Sequence, residues 1–320
     1  MGIVICEMDL ENWMGSLKNV IWNKKLSSIV IPGTHDSGTY CINSNSKRTK
    51  LLPDLQCLNP LVGLVGAPWA RTQQFSIADQ LLYGVRYLDL RVLLDSDDGN
   101  MYLVHSFEGG EFWKELEGVS EFVQNHPAEV LILDMNHIYY CNESDMQGML
   151  TKVETMFGSK LCSPPLPGSS VKTYGEMIDS NQTVIVAITE YPEQDNSKYV
   201  YKDLKNRFSW LWGSEANVVS PWGNSDDVNQ LQENLKKSMA EPRTPDSVHV
   251  TQTILTPQTK DVVIGLFEDP SNLEQLAEIL NPHLPDWFQE FKKDYNLNIA
   301  IVDFLTPTLI NQLVNLNLAE

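Results

Sequence analysis

Residues 28–38 read SIVIPGTHDSG, a largely apolar run that ends in glycine, histidine and aspartate. Three further stretches follow the same plan: 85–91 (VRYLDLR), 130–137 (VLILDMNH) and 298–304 (NIAIVDF). A short apolar run bounded by polar residues is typical of a parallel β-strand that is covered on both faces. We therefore expect four buried strands here, each with polar side chains at its carboxyl end.

Strand candidates alternate with stretches that carry apolar residues at helical spacing. The strand candidates are Ser28–Pro32, Val85–Leu90, Tyr102–Val104, Val130–Leu133, Thr183–Ile188, Val218–Ser220, Ser247–Thr251 and Asn298–Val302. The helix candidates are Phe112–Gln124, Asp145–Phe157, Asp226–Met239, Asn272–Leu280 and Thr306–Leu318. This alternation predicts an α/β fold, a single distorted (β/α)8 barrel of the TIM type that spans residues 1–320 as one domain.

Composition limits the classes of function. Lys and Arg number 23 against 42 Asp and Glu, so the net charge is 23 − 42 = −19, which argues against nucleic-acid binding. Five cysteines without a CxxC pair are typical of reduced thiols, so we expect a cytoplasmic protein. The apolar start is too short for a signal peptide or a membrane span. Gly2 resembles a myristoylation start, but position 6 is Cys where Ser or Thr is preferred, so lipidation stays open.

Polar residues with catalytic chemistry stand at the predicted strand ends, where a TIM barrel has its active site. They are His35, Asp36, Asp89, Arg91, His105 and Asp303. One neutral imidazole removes a proton from a hydroxyl, and one imidazolium protonates the leaving oxygen. A guanidinium stabilises charge on a phosphate, and carboxylates orient the two rings. This set predicts cleavage of a phosphodiester without a metal ion or a cofactor.

Each residue also has an ordinary interpretation when it is taken alone. Arg91 could form a plain ion pair with Asp89 or Asp95, and Asp303 could cap the last helix. A histidine after a strand is more often a satisfied polar residue than a catalyst. The remaining histidines that we assign to structural or surface positions are His126, His137 and His283.

At these residues the sequence resembles the X domain of phosphatidylinositol-specific phospholipases C. The matching stretches are residues 29–36, 78–91, 104–106, 126–133, 222–224 and 301–304. The resemblance is strongest to the small eukaryotic X-domain-containing proteins and extends from about Trp13 to Asp303. It implies a distorted barrel in which the inositol 2-hydroxyl displaces diacylglycerol, giving a cyclic phosphate that water can then open.

The resemblance also implies roles for individual residues. His35 matches the general base and Asp303 its supporting carboxylate, while His105 matches the general acid supported by Asp36. Arg91 matches the residue that binds the phosphate, and Asp89 helps to position the site or to balance its charge.

Calcium-dependent relatives need several oxygen ligands around the phosphate. In this sequence Arg91 stands where a cation would lie, and Asn136 stands where a glutamate would be expected. We therefore expect the metal-independent variant of the reaction.

Headgroup selection departs from the bacterial relatives, which place basic residues at the ends of strands four and five. The corresponding stretches here hold Asn136 and Thr189-Glu190, and the seventh strand ends at Thr251-Gln252-Thr253. The candidates for substrate contact are Asn136, Gln252 and Trp222.

Three hypotheses follow. The leading one is a phospholipase C that cleaves phosphatidylinositol-type lipids, and a second is a phosphodiesterase for a soluble or glycosylated inositol phospholipid. The third is a catalytically weak protein that binds the inositol-phospholipid headgroup. Transient contact with a membrane surface is expected. The loop Ser44–Leu52, with Lys47, Arg48 and Lys50 beside Leu51 and Leu52, could dock at a bilayer, and its ordinary interpretation is a solvated loop. No stable protein partner is implied.

Overall fold

The computed structural model describes residues 8–49, 61–188, 201–214 and 216–318. Its strands are β1 (Ile31–Thr34), β2 (Tyr87–Leu94), β3 (Met101–His105), β4 (Phe107–Glu111), β5 (Leu131–Tyr139), β6 (Val184–Ile188), β7 (Trp212–Gly213), β8 (Val218–Val219), β9 (Val248–Gln252) and β10 (Ile299–Val302). Its helices are α1 (Trp13–Ser16), α2 (Lys18–Ile21), α3 (Leu61–Ala70), α4 (Ile77–Leu82), α5 (Phe112–Asn125), α6 (Glu143–Phe157), α7 (Tyr174–Asp179), α8 (Tyr201–Arg207), α9 (Val228–Met239), α10 (Thr259–Ile264), α11 (Leu273–Leu280), α12 (Leu284–Tyr295) and α13 (Pro307–Asn315).

Eight of the described strands are parallel and form a nearly closed barrel in the order β7-β6-β5-β2-β1-β10-β9-β8. A parallel bridge between Ser214 and Val218 connects the two ends of this order. Gly33 allows β1 to pack tightly in the barrel, because a Cβ there would lie 2.9 Å from the side chains of both Tyr87 and Ile301. The predicted α/β barrel of the TIM type is therefore confirmed. The prediction that residues 1–320 form a single domain stays a prediction.

The strand predicted at Tyr102–Val104 is not a barrel strand, which corrects the sequence analysis. β3 runs antiparallel to both β2 and β4, and these strands form a hairpin that extends from the barrel. Only residues 95–100 connect β2 to β3, whereas a parallel crossover needs a dozen residues or more. The short connection therefore forces an antiparallel pairing.

The eighth barrel strand is β7, which the sequence analysis did not predict. Two residues carry no detectable periodicity, so a strand as short as Trp212–Gly213 cannot be recognised from its pattern. The first strand was also placed too early, at Ser28–Pro32 instead of Ile31–Thr34, because the pairing of Gly33 and Thr34 with β2 and β10 defines its end. The other strand and helix candidates agree with the structure to within three residues at each end, except that β2 and β5 continue to Leu94 and Tyr139, beyond the predicted ends at Leu90 and Leu133.

A buried ion pair closes the barrel at the amino ends of its strands. Arg86, which is fully buried, donates from Nε to the Glu129 carboxylate over 2.8 Å. The same carboxylate accepts the backbone N–H groups of Met14 and Gly15, so the pair also fixes α1 beneath the barrel. Among the described residues, no helix combines the length and the apolar character that crossing a membrane requires.

Candidate active site

His35 follows β1 with both ring nitrogens engaged. Its Nδ1 lies 2.8 Å from Asp303 Oδ1, just beyond the neighbouring strand β10. Its Nε2 lies 3.3 Å from Arg91 Nη2 and 3.2 Å from Asp36 Oδ2. Asp303 therefore orients the ring and keeps a proton on Nδ1, while Nε2 faces the side of the site that Arg91 occupies.

His105 reaches the same site from the end of β3 in the hairpin. Its Nδ1 lies 2.9 Å from the carbonyl oxygen of Ala70, and since a carbonyl only accepts, Nδ1 carries a hydrogen. Asp36 Oδ2 lies 3.5 Å from the same nitrogen. The centroids of the His35 and His105 rings are 6.0 Å apart, so the two imidazoles are neighbours in one site.

Asp36 is the shared carboxylate of the site. Besides the two imidazoles, its Oδ1 lies 2.6 Å from Arg91 Nε, and its side chain is fully buried. The ion pair of Arg91 is thus made with Asp36, whereas Asp95 binds Lys47.

Asp89 joins β1 to β5 across the site. One carboxylate oxygen accepts the backbone N–H of Asp36 over 3.2 Å, and the other accepts the side-chain amide of Asn136 over 2.6 Å. Asp89 therefore links the backbone of Asp36 to the side chain of Asn136.

The backbone is strained at three of the site's strand ends. Asp36, Ser106 and Phe304 have φ values of 42°, 63° and 45°, a region that residues other than glycine rarely adopt. Such conformations persist only where surrounding contacts enforce them, and they concentrate at functional sites.

Thr72 and Gln73 supply part of that enforcement. The Thr72 hydroxyl donates to the carbonyl of His35 over 2.8 Å, and the Gln73 amide donates to the carbonyls of His35 and Val302. The sequence analysis missed both residues. Their signal was a polar pair that follows the apolar helix α3 after Arg71.

Burial and charge set the protonation of the site. Burial by itself lowers the pKa of His35, but the carboxylates of Asp36 and Asp303 outweigh it and raise that pKa to about 9. Burial, supported by the positive charge of Arg91, lowers the pKa of His105 although Asp36 opposes the shift. Burial opposes ionisation of Asp36, but Arg91 and the imidazoles hold its pKa below the usual range. At neutral pH the free protein therefore carries a proton on His35 Nε2 and none on His105 Nε2.

Asp134 lies below this site in the barrel interior and was also missed. Its buried carboxylate accepts the Tyr87 hydroxyl over 2.6 Å and the Ser214 hydroxyl. Burial raises the pKa of Asp134 to about 7. The signal was its place in the run 130–137, beside the residues that were singled out.

The three candidates for substrate contact occupy different places. Asn136 lies against Asp89, and its Oδ1 is buried without a hydrogen-bond partner among the described residues. The Gln252 amide donates to the backbone and the hydroxyl oxygens of Ser220, so it joins two strand ends. Trp222 is 60% exposed on the rim. Thr189-Glu190 lies outside the described residues.

A cation could in principle be held by His35, Asp36 and Asp89, whose ligand atoms lie within 4.8 Å of one another. The guanidinium of Arg91 already occupies Asp36 Oδ1, and the Asn136 amide occupies Asp89 Oδ1. A metal ion at this place would have to displace both contacts and lie beside a permanent positive charge. The residues present therefore fit the guanidinium of Arg91 better than a metal ion.

Lys47 in the basic loop is surrounded by acidic groups. Its ammonium contacts Asp95, lies 2.9 Å from Asp97 and is 3.7 Å from Glu108. Its charge is thus compensated within the protein, which weakens the hypothesis that this loop docks at a membrane. Lys50, Leu51 and Leu52 lie outside the described residues.

Comparison with known proteins identifies the family of the chain. The family model PI-PLC X 1 matches residues 62–237, a range that includes Arg91 and His105. The chain belongs to the PI-PLC X domain family. PI-PLC X domain-containing protein 2 from Homo sapiens is 29% identical, with 88% of each chain covered. Variant-surface-glycoprotein phospholipase C from Trypanosoma cruzi is 25% identical, over 90% of this chain and 77% of that protein.

Solved structures resemble the same fold. Phosphatidylinositol-specific phospholipase C from Listeria monocytogenes superposes with a TM-score of 0.64 at 18% identity, over 97% of this chain and 99% of that one. The F249X mutant of the Staphylococcus aureus enzyme gives the same TM-score at 16% identity, over 96% and 98%. At such identities the similarity shows the shared barrel.

Proposed function

We propose that this PI-PLC X domain protein is a phosphoric diester hydrolase that cleaves phosphatidylinositol-type lipids without a metal ion. The observation that carries the proposal is that His35, His105 and Arg91 all contact the same buried carboxylate, that of Asp36. Each imidazole is held through Nδ1, so each presents Nε2 as its reacting atom. The phospholipase C relatives support the substrate class.

In the first stage His35 Nε2 removes the proton of the inositol 2-hydroxyl, whose oxygen attacks the phosphorus. The bond from phosphorus to the diacylglycerol oxygen breaks, and His105 Nε2 donates the proton that this oxygen takes up. The Arg91 guanidinium stabilises the non-bridging oxygens as their charge grows. The products are diacylglycerol and a cyclic inositol phosphate. In the second stage water opens the cycle while the two imidazoles exchange their roles.

The resting protonation favours a slow reaction. The base must be neutral and the acid protonated, yet the pKa of His35 is about 9 and the pKa of His105 is lowered. Only a small fraction of the free protein therefore holds the reactive arrangement. This observation favours, as the second candidate function, a protein that binds inositol-phospholipid headgroups and turns them over weakly.

The proposed membrane contact lies on the rim of the site. Trp222 follows β8, and Leu266 and Phe267, which are 51% and 85% exposed, follow α10 after β9. The turn at Gly265 packs on Trp69 of α3, next to the Ala70 carbonyl that binds His105. With a net charge of −19, apolar insertion is the available means of reaching a bilayer. We expect a cytoplasmic protein that contacts membranes transiently.

The test is release of water-soluble inositol phosphates from phosphatidylinositol vesicles with EDTA present, for wild type, His35→Ala and the surface control His283→Ala. We expect wild type and His283→Ala to release cyclic inositol phosphate, and the rate to fall about 10²- to 10⁴-fold in His35→Ala. Release only after calcium is added would contradict the role of Arg91. Headgroup binding without release under either condition would favour the second function.

A further inference from the structure

β5 contains one residue more than the part of β2 with which it pairs. Asp134 is the partner of Asp89, and His137, not Asn136, is the partner of Arg91. This is a β-bulge, in which two consecutive residues on one strand oppose a single residue on the other. Bulges of this kind redirect side chains and are common beside active sites.

The neighbours of these residues show which side chains changed direction. Met135 and Ile138 pack in the main core between the barrel and its helices. Tyr139 packs on the opposite face of β5, against Leu93 and Val104 beneath the hairpin. Asn136 faces the barrel interior, where its amide binds Asp89. Because of the extra residue in the bulge, Asn136 and His137 both lie on the inner face of β5. His137 is thus on the same face of the sheet as its register partner Arg91.

This register places His137 beside the site, whereas the sequence analysis assigned it to a structural or surface position. Adjacent strands lie about 4.8 Å apart, so the imidazole and the Arg91 guanidinium arise side by side. After Arg91, His35 and His105, His137 is the fourth group that lowers the pKa of Asp36 against the effect of burial, which places its imidazole within electrostatic reach of that carboxylate. Its ring lies parallel to that of Tyr139 at 6.0 Å and is half-buried.

We propose that His137 is a substrate-binding residue whose imidazole, together with Arg91, binds phosphate oxygens of the inositol headgroup. The inference rests on the proposed function and assigns to that site a third histidine. Because Arg91 and His137 are register partners on neighbouring strands, both side chains can donate to the oxygens of one phosphate group. Asn136, with its unpaired Oδ1, provides the complementary acceptor for a ring hydroxyl on the same wall.

Phosphate oxygens could come from the scissile diester or from a phosphomonoester on the inositol ring. We would measure kcat and KM for wild type, His137→Ala, His137→Gln and the control His283→Ala. The substrates are vesicles of phosphatidylinositol and of phosphatidylinositol 4-phosphate. Calorimetry with inositol 1-phosphate adds a reading of affinity that does not need turnover.

If His137 binds the scissile phosphate, His137→Ala raises KM for both lipids and Kd for inositol 1-phosphate roughly tenfold, with a smaller change in kcat. If it binds a ring phosphate, only KM for the phosphorylated lipid rises. Partial recovery in His137→Gln, which keeps an N–H donor, separates binding from a packing defect.

Unchanged KM values and an unchanged Kd in His137→Ala would overturn the proposal, as would equal changes in His283→Ala. Absence of turnover in wild type would instead count against the proposed function. In that case the affinity for inositol 1-phosphate still decides the role of His137, and failure of the wild type to bind it would overturn the proposal.

Discussion

Two arginines at opposite ends of the barrel form buried ion pairs of the same chemical type with different consequences. Arg86 precedes β2 at the amino ends of the strands, and Arg91 lies within β2 at the carboxyl side. Arg86 pairs with Glu129, which is itself fixed by backbone N–H groups. Arg91 pairs with Asp36, which also contacts two imidazoles.

The two pairs differ in the burial of the arginine and in how many groups share its carboxylate. Arg86 is fully buried and also donates to four backbone carbonyls, those of Leu10, Glu11, Leu81 and Val85. The Arg91 side chain retains 24% of its exposure and shares its partner. The many contacts of Arg86 hold structure, whereas under the proposed function Arg91 exchanges its shared partner Asp36 for a phosphate of the substrate. This matches the division of TIM barrels into a stabilising amino end and a reactive carboxyl end.

The largest effect is expected at the amino end. Arg86→Met leaves the buried Glu129 carboxylate without its positive partner, so the free energy of unfolding should fall by about 3–5 kcal/mol. Urea denaturation followed by circular dichroism measures this. The exposed pair of Arg71 with Glu274 provides the control, since Arg71→Met should cost less than about 1 kcal/mol. An Arg86→Met protein with wild-type stability and reduced turnover would contradict the assignment of Arg86 to stability.

Arg91→Lys should lower turnover and leave stability nearly unchanged, the opposite of the result expected for Arg86→Met. The ammonium keeps the charge but loses the planar pair of donors, so kcat/KM should fall about 10²- to 10³-fold while the free energy of unfolding changes by less than about 1 kcal/mol. Turnover of phosphatidylinositol vesicles and urea denaturation measure the two quantities. Arg243→Lys, which changes an arginine bound to the backbone carbonyls of Tyr295 and Asn296, is the matched control. If Arg91→Lys turns over substrate at the wild-type rate, the proposed role of Arg91 in stabilising the phosphate oxygens is wrong.

The carboxylates of the site can be separated by the pH dependence of kcat/KM. The profile should be bell-shaped. With increasing pH, kcat/KM should rise through the lowered pKa of His105 and then fall above about pH 9, where His35 loses its proton. Asp303→Asn removes a negative charge that favours the His35 imidazolium, so the high-pH limb should move down by about one to two units.

Asp36→Asn should move both limbs to lower pH, because this carboxylate favours the cationic form of both rings. A high-pH limb that stays in place in Asp303→Asn would contradict the pairing of Asp303 with His35.

The smallest effect is expected at the membrane. Phe267→Ser removes a side chain that is 85% exposed on the rim of the site, and the vesicle partition coefficient should fall about five- to tenfold. Leu166→Ser is the matched control, since Leu166 is 75% exposed in the segment between α6 and α7 that leads to the amino end of β6. Co-sedimentation with phosphatidylinositol vesicles measures both. Equal losses in the two variants would place the contact elsewhere.

Much of the barrel could be predicted because its longer strands, such as β5, β6 and β10, are apolar runs with polar ends. β7 could not be predicted, since its two residues are held in place by pairing with β6 and not by their own pattern. The strand predicted at Tyr102–Val104 was also wrongly counted in the barrel, since β3 belongs to a hairpin with β4. Its composition is that of a buried strand, and only the short connection from β2 decides that it runs antiparallel.

The sequence by itself determined which chemical groups are present and at which strand ends they stand. Parallel strands end at a common edge, so His35 and Asp303 could be expected together although they are far apart in the chain. Only the tertiary structure decided which groups share a partner and which face the site. Asp36 is central because three strand ends converge on it, and His137 faces the site because one extra residue in β5 shifts the register against β2. Both depend on contacts between strands, which no local pattern of residues encodes.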